Sequence, residues 1–240
     1  MLALELRNAG MIDKIGHSCD WTDDELMIST RSLAGLPEID EVKRISQSIA
    51  TLDAILMPEW DYRYFSFDAN WGDDEMLASM RNGSGDSYFI LFNPHGAIIK
   101  GYGHESAMAA YTVDSGKTWP GVLDQVPEEF EAVLTDPAFV AEETSFCIWR
   151  KYSDSDWQTG KIDFPGEEDP DGSADLLFVL DGSPDTYQQW AGEYYESTIP
   201  LDAVQEVYRH KPLTQQLVSR LNSERRIDDL DSDLDEIRYP

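Results

Sequence analysis

The sequence predicts an α+β fold: a central antiparallel β-meander with a packed N-terminal helix and a helical C-terminal third. Three patterns carry this expectation. Apolar residues recur at helical spacing from Val42 to Leu56, and short strand-like runs joined by tight turns fill residues 61–101. Helical spacing then returns from Tyr187 to Leu221.

In order along the chain, Val42, Ile45, Ile49, Leu52 and Leu56 fall on one helical face. Glu38, Asp40 and Glu41 stand where the positive end of the helix dipole favours acids, and Pro58 ends the run. Tyr62, Tyr64, Phe65 and Phe67 mark a strand over Asp61–Asp68, and Met76–Arg81 a second. Asn82-Gly83-Ser84-Gly85-Asp86 then forms a tight turn of residues that tolerate positive φ. Tyr88–Phe92 reads as a strand buried on both faces, turned at Asn93-Pro94-His95-Gly96 into a returning strand over Ala97–Gly101.

Residues 102–126 read as a surface connection. Pro127 opens a short helix through Phe130, Val133 and Leu134, which Pro137 closes. Ser145–Tyr152 and Trp157–Phe164 are expected strands, Gly166–Asp175 an acidic loop, and Asp175–Leu180 a last apolar strand. Ser183 before Pro184 is a helix start, with Tyr187, Trp190 and Tyr194 on one face. Leu201, Val204 and Tyr208, then Leu213, Leu217 and Leu221, mark two short helices split by Pro212. The expected organisation is an N-terminal arm (1–36), a single α+β domain (37–222) and an acidic C-terminal tail (223–240).

Charge bounds the function. There are 47 acidic against 18 basic residues, net −29, in a chain whose 41% hydrophobic and 11% aromatic content is too apolar for disorder. Such a field repels phosphate backbones and anionic bilayers, so neither direct nucleic-acid binding nor membrane association is expected. It favours solubility, divalent cations, or a basic protein partner. From Ile162 to Tyr208 there are twelve acids and no lysine, arginine or histidine. Asp163, Glu167, Glu168, Asp169 and Asp171 lie in that stretch and, with Trp71, Trp157 and Trp190, are the candidate binding residues, since aromatic side chains favour interface hot spots. The competing readings are that the acids only solubilise and that the rings only fill a core poor in aliphatic residues.

Cys19 and Cys147 are too few and too far apart for a disulfide framework. Cys147 lies in the apolar run Phe146-Cys147-Ile148-Trp149 and reads as a small buried hydrophobe. The short apolar run at the N-terminus does not read as a signal peptide, and no stretch approaches a membrane span, so cytoplasm is the expected location.

No cofactor motif occurs. The loop from Glu167 places acids at positions 1, 3, 5 and 9 (Glu167, Asp169, Asp171, Asp175) with Gly172 at position 6, as a calcium loop does. Phe178, however, stands where a bidentate glutamate is needed, and Pro170 occupies position 4. The four histidines include no pair at zinc-binding spacing. His104 and Glu105, after an expected strand, with Arg81 and Asp86, are the candidates for catalysis; the reading that His104 is a locally hydrogen-bonded loop histidine is favoured over them.

Met80–Asp86 with Tyr88–Phe92, Lys100–Ser106, Trp119-Pro120-Gly121 and Phe146–Arg150 resemble a family of bacterial proteins to which no activity is assigned. In general character the chain is similar to immunity proteins that neutralise bacterial toxins. The leading expectation is therefore an acidic, non-enzymatic protein-binding module that inhibits a basic partner. The alternatives are a small-ligand protein or hydrolase using the meander loops, and a calcium-binding acidic module.

Overall fold

The computed structural model describes residues 27–139, 143–166 and 168–240 of the chain. His17, Cys19, the acidic residues at 20–25 and Glu167 lie outside them. The fold is the expected α+β meander: six antiparallel strands adjacent in chain order. They are β1 (Phe65–Gly72), β2 (Glu75–Arg81), β3 (Ser87–Asn93), β4 (Gly96–Tyr102), β5 (Phe146–Lys151) and the two-residue β6 (Gln158–Thr159).

Helix α1 (Ile39–Leu56) lies across one face of the sheet. No side chain caps its start; what holds it is burial of Val42, Ile45, Ile49, Leu52 and Ile55, each worth about 2 kcal/mol. Its buried hydroxyls at Ser46, Ser48 and Thr51 bond back to the carbonyls four residues earlier, so none is left unpaired.

At the centre of the same face Asp53, fully buried, ties three elements together. Oδ2 accepts the backbone N–H groups of Tyr64 (2.9 Å) and Phe65 (2.8 Å), and Oδ1 accepts the Tyr187 hydroxyl at 2.7 Å. Burial raises its carboxyl from the usual 3.8 to about 6, against the opposing pull of these hydrogen bonds.

The opposite face of the sheet is covered as well, which the sequence reading missed. Residues 102–126 are not merely a surface connection: they include helix α2 (Ala107–Ser115), started by Ser106, whose Oγ accepts the Ala109 N–H at 3.1 Å. Met108 of α2, Val122, Phe130 and Val133 pack on Leu91, Ile98, Cys147 and Trp149 to make a smaller second core. The expected Pro127 helix is present as a 3-10 turn (Glu128–Phe130) running into α3 (Glu131–Thr135). Lys100 is buried on this face and donates to the carbonyls of Phe139 and Glu143, holding the chain that returns to β5.

Two strand expectations need correction. Trp157–Phe164 pairs only over β6; beyond it Ile162 and Phe164 pack side chains without a ladder. Asp175–Leu180 is helical: α4 (Ser173–Leu177) runs into a 3-10 turn (Phe178–Asp181). Five successive apolar residues fit a buried strand or a buried helix equally, and here the start is decided by Asp169, whose carboxylate accepts the Ala174 and Asp175 N–H groups at 3.2 and 3.1 Å.

Helices α5 (Pro184–Tyr194), α6 (Leu201–Tyr208) and α7 (Gln215–Leu221) form the expected helical third. Ser183 precedes α5 but makes no side-chain cap; Asp181 instead accepts the Ser183 N–H and the Thr186 hydroxyl. The acidic segment 223–240 is packed into the fold. Its α8 (Asp231–Ile237) meets α1 and the edge strand β1, burying Leu230, Ile237 and Tyr239. Arg63 holds it with a two-pronged contact to Asp233 at 2.6 and 3.1 Å.

Candidate functional site

Two hollows stand out. The larger, about 790 Å³, lies by the β1–β2 hairpin between Lys43, Asp73, Asp74, Glu75 and Arg238. Its charges are mixed, and no candidate catalytic or binding residue lines it. The second, about 460 Å³, gathers residues from three separate expectations: Asp86 and Glu105 from the catalytic candidates, Asp169 and Asp175 from the acidic loop, and Trp190 from the aromatic set. Tyr64, Phe178, Asn82 and Ser106 complete its walls. No lysine or arginine lines it. This cleft is the candidate site.

Its position follows from two glycines. The loop after β4 and the loop before α4 cross where Gly103 meets Gly172: a Cβ on Gly103 would lie 3.0 Å from the Gly172 Cα, and Gly172 sits at φ +77°. The crossing is locked by Ser145, whose Oγ accepts the Gly103 N–H at 2.9 Å and donates to the Asp171 carbonyl at 2.6 Å. The Met108 N–H adds a bond to the Pro170 carbonyl. The floor of the cleft is therefore rigid.

The β2–β3 turn supplies one wall. Asn82 Oδ1 accepts the N–H groups of Ser84 and Asp86, and its amide donates to the Asp86 carboxylate. Asp86 also accepts the His104 backbone N–H at 2.9 Å and lies 2.6 Å from His104 Nδ1. The Asp86 side chain is only 7% exposed, while that of His104 is 32% exposed. Nε2 on the other side of the ring is 3.9 Å from the Glu105 carboxylate, which is 61% exposed. Asp86 thus positions the imidazole, and Glu105 flanks it.

Arg81 takes no part. Its guanidinium stacks over the exposed Trp60 ring at 4.2 Å, outside the cleft.

The acidic loop supplies the opposite wall, with a division of labour. Asp171 is 1% exposed and turns inward: Oδ1 accepts the Ser173 N–H and Oδ2 the Thr30 hydroxyl. It is unavailable as a binding residue or cation ligand. Asp169 spends its carboxylate on α4, and burial pushes its pKa above the usual range despite those hydrogen bonds, with nearby Asp171 adding to the rise. Asp175 is exposed at the rim. Among the described residues no three histidine, cysteine, aspartate or glutamate side chains gather to hold a metal ion; Glu167, position 1 of the calcium-like loop, lies outside them. Asp163 and Glu168 are exposed but do not line the cleft; the Glu168 backbone carbonyl accepts Arg31, and that of Asp163 accepts the Trp119 indole.

The three tryptophans also separate. Trp190 forms the aromatic wall, packed on Tyr64 (4.8 Å between ring centres), Phe65 and Tyr194. Trp157 is 6% exposed and donates to the Pro37 carbonyl, so it belongs to the core. Trp71 is 39% exposed on β1, against Phe139, away from the cleft. Tyr64, Phe178 and Ser106 are not among the candidate site residues; Tyr64 reads only as a strand aromatic and Phe178 only as a mismatch to a calcium loop, while Asn82 carries a signal as an Asx residue opening a glycine-rich turn.

Comparison of the chain with protein-family models, with curated proteins and with solved structures finds no match.

Proposed function

We propose that this protein is a binding module rather than an enzyme, and that its cleft takes the lysine or arginine side chains of a basic protein partner. One observation carries the reading: Asp86, Glu105, Asp169 and Asp175 line a rigid cleft with Tyr64, Phe178 and Trp190 and without a basic residue. Carboxylates supply long-range attraction and charge-assisted hydrogen bonds, and aromatic faces add cation–π contact. Asp163, Glu168, Asp181, Asp185, Glu193 and Glu196 are exposed acids in the stretch that contains no base, adding to the negative field that would steer such a partner. The sharpest form of the reading is inhibition of a basic protein by covering its cationic surface, in the manner of the immunity proteins that the chain resembles in general character. Nucleic acid and anionic membrane are not partners on this reading. Among the described residues no helix is long and apolar enough to cross a membrane.

The test is fluorescence anisotropy with a labelled octa-arginine peptide. Binding should weaken steeply with added salt. The double variant Glu105→Gln, Asp175→Asn should lose about tenfold in affinity, and the distal pair Asp181→Asn, Asp185→Asn much less. Equal losses from both pairs would sink the cleft as the docking point, and binding insensitive to salt would sink the whole reading.

A second reading, a small-ligand protein or hydrolase at the same cleft, is favoured by the Asp86-positioned imidazole. Turnover of cationic esters that His104→Asn abolishes would establish it. Ser106 is not placed as its nucleophile, since its Oγ is engaged at the start of α2.

A further inference from the structure

We propose that His104 sets the charge of the cleft, so that a cationic ligand held at neutral pH is released on acidification. This rests on the cation-binding reading above.

The geometry fixes which nitrogen responds. The Asp86 carboxylate, 2.6 Å from Nδ1, is an acceptor, so the neutral ring keeps its proton on Nδ1. Gly85 lies against the ring: at φ +115° its backbone comes so close that a Cβ there would be 3.1 Å from His104 Cγ. Held on that side and pinned at Nδ1, the ring directs its remaining lone pair, on Nε2, to the side where Glu105 Oε1 stands 3.9 Å away. A proton taken at Nε2 places an imidazolium between two carboxylates that line the cleft.

Four acids line the cleft. From the β2–β3 turn come Asp86 and the neutral Asn82; from the histidine's own loop, Glu105; from the loop before α4 and its first turn, Asp169 and Asp175. Asp171 points away into its contacts with Thr30 and Ser173. Protonation of His104 therefore adds a positive charge beside Asp86 and Glu105, in a cleft that no lysine or arginine lines, and an arriving cation meets it as a like charge. The coupling is reciprocal: a bound cation makes the imidazole harder to protonate.

Two measurements test this. Octa-arginine is the probe because its guanidinium groups stay charged throughout, so any pH response belongs to the protein. Between about pH 8 and about pH 5.5, at constant ionic strength, the wild-type affinity should fall about fivefold more than that of His104→Asn, whose amide still donates to Asp86 but does not titrate. The comparison cancels the titration of the carboxylates, Asp169 included. In wild-type protein the His104 ring signal, followed by NMR, should titrate at lower pH when the peptide is bound. A His104→Asn response equal to wild type, or a ring titration indifferent to peptide, would overturn the proposal while leaving the cation-binding reading intact. Absence of peptide binding at pH 8 would overturn both.

Discussion

Two carboxylate–aromatic assemblies stand close together in this molecule and share a residue. In one, Asp53 is fully buried, and Tyr64, Phe65 and Tyr187 deliver three hydrogen bonds to it. In the other, the Tyr64 ring lines the cleft with Trp190, opposite carboxylates that water can reach. The backbone of Tyr64 serves the first and its ring the second. The residue types are nearly the same, so type does not separate a structural acid from one proposed to bind a ligand. Exposure does: Asp53 is sealed from water within the fold, whereas the Glu105 and Asp175 side chains are exposed to it.

The comparison breaks most sharply at Asp53. Asp53→Ala leaves the Tyr64 and Phe65 N–H groups and the buried Tyr187 hydroxyl without their acceptor, and should cost about 4 kcal/mol in urea unfolding. A loss below about 1 kcal/mol would mean that the cage relaxes. Next in size is a pH effect. Because the folded carboxyl titrates at about 6 and the free one at 3.8, the folded state binds that proton more tightly. Its contribution to stability therefore grows as pH falls from about 6 towards about 4, by at most about 3 kcal/mol, and is lost again as pH rises through 6. Asp53→Asn should flatten this part of the profile, since the amide oxygen can keep both N–H bonds and the carboxyl is gone.

Trp190 sits on the boundary. Trp190→Ala should cost about 2 kcal/mol through its lost packing on Tyr64, Phe65 and Tyr187, and should weaken peptide binding as well. Smallest in stability is the Glu105→Gln, Asp175→Asn pair, expected within about 0.5 kcal/mol of wild type by thermal melting while losing affinity. Destabilisation by that pair as large as that of Asp53→Ala would show that the rim acids hold the fold as Asp53 does.

Periodicity made α1 and the four-stranded meander legible, because their apolar positions repeat with a single period and end at Pro58 or at glycine-rich turns. Helix α2 was hidden because Ala107, Ala109 and Ala110 contribute almost no apolar contrast; Ser106 and Gly116 at its ends were the available signal. Helix α4 was mistaken for a strand because Leu176–Leu180 is apolar throughout. The site was legible in pieces. Asp86, His104, Glu105 and the acidic loop were each singled out, yet their convergence depends on the Gly103–Gly172 crossing between segments almost seventy residues apart, which no local pattern announces. Asp53 was overlooked for the opposite reason: an acid among helical apolar positions looks like surface until the strand that bonds to it is placed.

The packing of α8 also carries a consequence for the making of the protein. Gln47 donates its amide to the Ile237 carbonyl, 190 positions later, and the Arg63–Asp233 contact spans 170. During synthesis at roughly ten residues per second, α1 and β1 leave the ribosome well over ten seconds before the helix that seals one flank of them. For that interval a strip of the nascent chain around Ala50 and Phe67 waits uncovered, where a chaperone would find it, and a stop codon ahead of residue 230 would make the wait permanent.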